Sequence, residues 1–240
     1  MPKHNRRGPG RPKSDTIEVP IREALIRETI AQVAEEGPLA ISARQVCLSA
    51  GVAYAAVNYN FETWNGLLAA AGATAYSEYL DEIWDAVSLG PQTPDERLRS
   101  FIMAQALWNK RMPGWGAVFT YPVSALEIAT LMRANFPEIM VDKFQLNLAR
   151  IAQLTIDVRE QSVTPFPYGP KDFPKEKLMN DTRAVARSTS IGWSIMGMST
   201  WLARGTQGIN QVEDASQMQD MLMNFHISEL IRSIKLDSDN

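Results

Sequence analysis

The stretch GVAYAAVNYNFETWNGLL, residues 51–68, governs how the rest of the chain is read. Gly51 permits the tight or left-handed backbone of a turn, which other side chains resist. Ala55 and Ala56 keep the short helix that follows, predicted over about 53–59, slim enough to approach a groove. Val52, Val57 and Phe61 are the apolar points that lock it onto a neighbour. Just upstream, in ISARQVCLSA at 41–50, Ser42 is a natural N-cap for a short helix carrying Ala43, Val46 and Cys47 inward. Before that, Ile21, Leu25, Ile30 and Val33 recur at roughly 3.6 spacing until Gly37-Pro38 stops the helix. A helix, a tight turn and a second short helix make a helix-turn-helix.

Together these segments resemble the N-terminal domain of TetR-family transcriptional regulators. Gly51, Val52, Ala55, Ala56, Val57, Asn58, Tyr59, Phe61, Leu67 and Leu68 fit the family's pattern in identity and spacing, and the resemblance covers about residues 20–68. It implies an all-α fold: a basic arm at 1–16, a helix-turn-helix DNA-binding domain at 17–63, and a larger ligand-binding and dimerisation domain at 64–240. It also implies that Tyr54, Ala55 and Asn58 face base edges, with Tyr59 on a phosphate. Ser42 and Arg44, at the start of the preceding helix, are expected phosphate contacts, because hydroxyls and guanidinium groups favour anions. The sequence also departs from the pattern. Asn60, kept in the expected DNA-binding set, stands where His is usual, and Trp64-Asn65 replaces a common Lys-Glu pair. In the family that lysine touches the DNA backbone, so one charge contact is missing. Trp64 is expected to pack at the start of the next helix instead.

Charge is distributed unevenly. The 240 residues carry a net −3, but Lys3, Arg6, Arg7, Arg11 and Lys13 place five of the 24 bases in the first 13 residues, without an acid. The remainder has 19 bases against 27 acids. A basic arm on an acidic body suits a polyanion at one end only. Gly10-Arg11-Pro12 resembles an AT-hook core, with Arg11 reaching into a narrow minor groove.

Beyond Trp64 the pattern predicts helices at about 64–88, 94–111, 115–133, 136–160, 174–204 and 213–235. A proline-rich loop lies near 161–173. The resemblance implies that the last two long helices pair with those of a second copy, and Gly192, Ile195, Ser199, Met218, Leu222 and Phe225 are the candidate interface. An effector pocket is expected among Trp108, Met112, Trp115, Phe119, Tyr121, Phe144, Trp193 and Met196, because thioethers and rings adapt to apolar or aromatic ligands.

Other classes fare poorly. Cys47 is the single cysteine and His4 and His226 the two histidines, so disulfide and histidine-rich metal chemistry lack material. No cofactor is expected. Gly197-Met198-Ser199-Thr200-Trp201 misses the final glycine of a GxSxG elbow and falls mid-helix, and no P-loop, HExxH or zinc spacing organises the scattered carboxylates. No apolar run reaches the ~18–20 residues of a membrane span, and no secretory signal follows the basic N-terminus. The expectation is a cytoplasmic, non-enzymatic homodimer that binds a palindromic double-stranded operator as a repressor and responds to a small effector. The alternative is a ligand-binding or interaction protein on the same fold that has lost operator binding.

Overall fold

The computed structural model describes residues 20–120, 126–166, 172–203 and 215–236, apart from the side chains of residues 120, 196, 199–203 and 215–216. The described residues are helical, as the hydrophobic periodicity predicts. Three helices open the chain: α1 (Ile21–Glu36), α2 (Ala43–Ser49) and α3 (Ala55–Phe61). Then follow α4 (Trp64–Leu89), α5 (Pro94–Arg111), α6 (Pro113–Thr120), α7 (Leu126–Asn135), a π-helical turn (Glu138–Lys143) and α8 (Phe144–Glu160). The last elements are α9 (Lys175–Met179), α10 (Thr182–Ala203) and α11 (Ala215–Leu236).

Local chemistry sets the boundaries. Ser42 Oγ accepts the N–H of Gln45 at 3.3 Å, Thr63 Oγ1 that of Gly66 at 2.9 Å, and Thr93 Oγ1 that of Glu96 at 3.4 Å. In α5, Pro94 takes the first turn with Asp95 and Glu96, while Lys110 and Arg111 occupy the last, each sign placed to oppose the helix dipole. Asp181 caps α10 by accepting the N–H of Ala184 at 3.0 Å, which separates α9 from α10 where the periodicity predicts one continuous helix. Residues 121–125, within the helix predicted at 115–133, lie outside the described region, which holds α6 and α7 on either side.

The central member is α4, 26 residues and therefore ~39 Å long. Its run Leu67–Ala71 is buried, as are Tyr76, Tyr79, Ile83, Trp84 and Val87 further along, so it packs on several neighbours at once. At Gly72 a Cβ would meet Met132 Sδ at 2.8 Å, which is how α7 crosses α4 so closely. One apolar core runs without interruption from Leu25 in α1 to Ile234 in α11, so the first three helices share their interior with the rest.

A buried ion pair fixes α5 to α8. Arg97 Nη1 lies 3.1 Å from Asp157 Oδ2, with both side chains almost wholly buried, and also donates to the Thr164 carbonyl at 3.0 Å. Asp157 further accepts from Thr164 N, Thr164 Oγ1 and Gln153 Nε2 at 2.8–2.9 Å, so its oxygens are satisfied as a buried carboxylate requires. Burial lowers the Arg97 pKa, and the neighbouring Asp157 charge opposes that shift.

Candidate functional site

The first candidate site is built by α2, the turn after it and α3. Gly51 has φ +67°, the left-handed conformation its position between the helices demands. Val46, Cys47 and Val57 are buried with Leu25 and Val33 of α1, which fixes the orientation of both short helices. With Val57 inward, Ala55, Asn58 and Tyr59 fall on one outward face at i, i+3 and i+4. Tyr59 is 91% exposed and Tyr54 58%, unusually open for aromatic side chains with no apolar reason to be there. Arg44 is exposed on α2.

Two expected contacts have prior commitments. Ser42 Oγ caps α2 and also donates to Gln45 Oε1 at 2.6 Å, so a phosphate would compete with that bond. Asn60 is half-buried, and its Nδ2 donates to the Ala56 carbonyl at 2.8 Å, which turns its amide back onto α3 and away from the outward face. Trp64 packs half-buried against the core at the start of α4, as expected. Arg11 lies outside the described residues. Residues 20–63 hold three arginines, Arg22, Arg27 and Arg44, against five glutamates, so this unit is not itself basic. Arg27 is tied to Glu23 and Arg22 lies over the Phe61 ring at 5.2 Å.

A joint connects this unit to the helices behind it. Trp115 Nε1 donates to the Ile30 carbonyl of α1 at 3.0 Å, and a Cβ at Gly114 would overlap the carbonyl oxygen of Val33. Trp115 continues into a ring stack: Trp115 to Phe119 at 5.8 Å, Phe119 to Trp108 at 5.7 Å, and Trp108 to Tyr79 at 4.6 Å between centroids. Of these rings, Trp108, Trp115 and Phe119 are expected to line an effector pocket. Trp108 and Trp115 are buried in the core and stack through Phe119. Met112 and Phe119 are half-buried against the same core, Phe144 is exposed at the start of α8, and Tyr121 and the Met196 side chain lie outside the described residues. Burial pushes the Tyr76 and Tyr79 hydroxyls far above the ordinary tyrosine range.

A cavity of about 470 Å³ opens elsewhere, between α4, the π-helical turn, α8 and α9. Leu80, Trp84, Leu146, Asn147, Arg150 and Phe173 line its interior, and charged side chains including Lys143 and Lys175 stand at its rim. None of these stands out in the sequence as a site residue. Their signal is weak, because the residues come from three separated segments and each looks like ordinary helix surface or core.

The second surface is formed by α10 and α11. Trp193, 70% exposed, and Phe225, 65% exposed, border a groove of about 500 Å³ with Gly197, Met198, Leu222 and His226. Leu222 and Phe225 therefore face outward. Ile195 is buried in its own core and is removed from that set, Met218 is half-buried and Gly192 partly exposed, and the Ser199 side chain lies outside the described residues. Trp193, expected in a pocket, joins the outward face because it lies two positions from Ile195, on the opposite side of α10.

No protein-family model and no curated protein matches the sequence. Solved structures match the fold over most of their length. A protein from Shewanella sp. PV-4 assigned to the TetR family of transcription regulators is 14% identical with a TM-score of 0.55, covering 90% of this chain and 98% of that one. The transcriptional regulator FadR from Bacillus subtilis, solved in complex with stearoyl-CoA, is 13% identical with a TM-score of 0.55, covering 86% and 97%. The fatty acid degradation regulator FadR from Bacillus halodurans is 14% identical with a TM-score of 0.54, covering 88% and 96%. The chain thus has the all-helical fold of TetR-type transcriptional regulators, in the arrangement that the residues at 20–68 imply.

Proposed function

We propose that the protein is a member of the TetR family: a homodimeric, ligand-responsive DNA-binding transcriptional regulator, a repressor released from a palindromic operator by a small apolar or aromatic effector. The observation that carries this reading is the outward face of α3. Tyr54, Ala55, Asn58 and Tyr59 are presented to solvent after a positive-φ glycine turn, on a fold shared with structures described as regulators. Residues 17–63 are then the DNA-binding domain and 64–240 the regulatory domain, with the arm at 1–16 supplying the positive charge that residues 20–63 lack. The exposed Trp193, Leu222 and Phe225 support pairing of two copies through α10 and α11. A two-fold dimer sets its α3 helices about one DNA turn apart or a multiple of it, which is the reason for a palindromic site. Catalysis is no part of the reading, and no described helix is long and apolar enough to cross a membrane.

The effector acts by preferring the conformation that cannot bind DNA, since equal affinity for both states shifts nothing. Selection of bound duplexes from a random DNA pool at physiological salt tests the proposal. An enriched palindrome with a specific-to-non-specific ratio of at least ~10³ supports it. A second reading, a ligand-binding protein without operator recognition, draws on the excess of acids in residues 20–63. It is preferred if no motif is enriched and binding is only the salt-sensitive attraction of the arm.

A further inference from the structure

The floor of the α4–α8 cavity offers hydrogen-bond donors without acceptors. Arg150 makes no hydrogen bond or ion pair among the described residues; its partners are rings, with the guanidinium carbon 5.3 Å from the centroid of Trp84 and 5.9 Å from that of Phe173. Its Nε is sealed from solvent with no partner. The guanidinium is half-buried against these rings, and burial lowers its pKa, with the Asp81 charge partly offsetting the effect. Asp81 itself is engaged with Lys143, at 3.0 Å.

Asn147 adds a second donor. The Trp84 indole N–H can only donate, so the oxygen of Asn147 must face it, and does at 3.1 Å. That orientation turns the Asn147 amide nitrogen the other way, where it has no protein partner among the described residues. Arg150 and Asn147 are one turn apart on α8 and line the same cavity, against the apolar surfaces of Leu80, Trp84, Leu146 and Phe173.

We propose that this cavity is the effector site of the regulator described above, and that the effector is an organic monocarboxylate. Its carboxylate is bound by Arg150 and Asn147, and its apolar body lies on Trp84 and Phe173. The effector role rests on the regulator reading, whereas the binding of a carboxylate stands independently of it. A carboxylate is acceptor-only and suits a guanidinium beside an amide N–H. The volume, about 470 Å³, is in the range that encloses a drug-sized molecule. A polyanion is disfavoured, because exposed Glu138, Asp142 and Glu176 stand at the rim where further negative charge would fall.

Titration calorimetry of the full chain with 2-naphthoate and decanoate, each paired with its neutral primary amide, tests this without any variant. At least one acid is expected to bind, and its amide at least ~10-fold more weakly, the size of one charge-assisted hydrogen bond. Equal binding of acid and amide overturns the proposal, as does failure of both acids to bind at ~1 mM, the weak end of measurable affinity. Arg150→Gln should weaken the acid by the same factor and leave the amide unchanged, with Arg150→Lys recovering part of the loss; an acid affinity unaffected by Arg150→Gln in a folded variant also overturns it. DNA binding is measured in parallel. Acid that binds through Arg150 but leaves operator affinity unchanged preserves the site and removes its effector role. An operator bound by a protein that takes up neither acid preserves the regulator reading and removes the site.

Discussion

The indole N–H of Trp115 on α6 donates to the main-chain carbonyl of Ile30 on α1 at 3.0 Å, and this bond, with the glycine beside it, ties α6 to α1 alongside the apolar core that the two share. Gly114 approaches α1 where no Cβ fits. Gly114→Ala must therefore push α6 away from Val33. We expect a cost of about 1–3 kcal/mol for the overpacked contact, seen as a Tm lowered by roughly 2–12 °C for a chain of this length. Trp115→Phe keeps a ring in the stack but loses the hydrogen bond, about 1 kcal/mol, and leaves a cavity where the larger indole was buried, which adds to that cost. If Gly114→Ala melts with the wild type, the close approach of α1 and α6 is wrong.

The DNA contacts proposed for Arg44 and Tyr59 are separable from folding, because both residues are on the surface. Arg44→Ala should lower operator affinity by about 1.5–3 kcal/mol and Tyr59→Phe by about 1 kcal/mol, with unchanged melting. Fluorescence anisotropy on the selected duplex at matched salt gives both values. Wild-type affinity in either variant removes that residue from the interface.

Removing residues 1–13 takes away five bases and no acid. The plot of log affinity against log salt should flatten by about 0.9 for each phosphate that the arm neutralises. A loss equal on all sequences assigns the arm to charge alone, whereas a loss confined to the operator assigns Arg11 to minor-groove reading.

The proposed pairing through α10 and α11 would cover apolar side chains that the single chain leaves exposed. Phe225→Asp, at a position 65% exposed in the single chain, should fold normally yet sediment as a monomer and lose operator affinity. Sedimentation equilibrium decides: a dimer that survives Trp193→Asp and Phe225→Asp together places the interface elsewhere.

Asp157→Ala strips the counter-charge from buried Arg97 and frees Thr164 and Gln153. About 3–5 kcal/mol of stability should be lost, since an uncompensated buried cation remains. Chemical denaturation measures it directly, and a loss below about 1 kcal/mol would show that the cation reaches water in the variant.

Local signals made the first three helices legible. Ser42 as a cap, Gly37 and Gly51 as breaks, and the inward Val46, Cys47 and Val57 each act within a few residues, and the structure places all of them as the spacing predicts. Signals that depend on distant partners were not legible. Periodicity marks Trp108, Trp115 and Trp193 alike as apolar, but only the setting of α10 against α8 and α5 turns Trp193 outward and leaves Ile195 inside. Asn60 resembles a surface polar group until its amide is seen bonded to Ala56. Arg150 is one more base on an amphipathic helix; residues 84 and 173, far from it in sequence, give it its surroundings.

At the joint, Trp115 bonds the carbonyl of Ile30 and Gly114 lies against that of Val33, while the inward side chains of α1 share one core with Trp115. Every residue type presents the same carbonyl, so the outward positions of α1 can change without loosening the joint. A chimera that keeps this protein's α4–α11 and exchanges the outward residues of α1–α3 for those of another reader should therefore retain its grip at α6. What can be exchanged is only that outward face, because the inward side chains of α1–α3 belong to the core they share with the helices behind them.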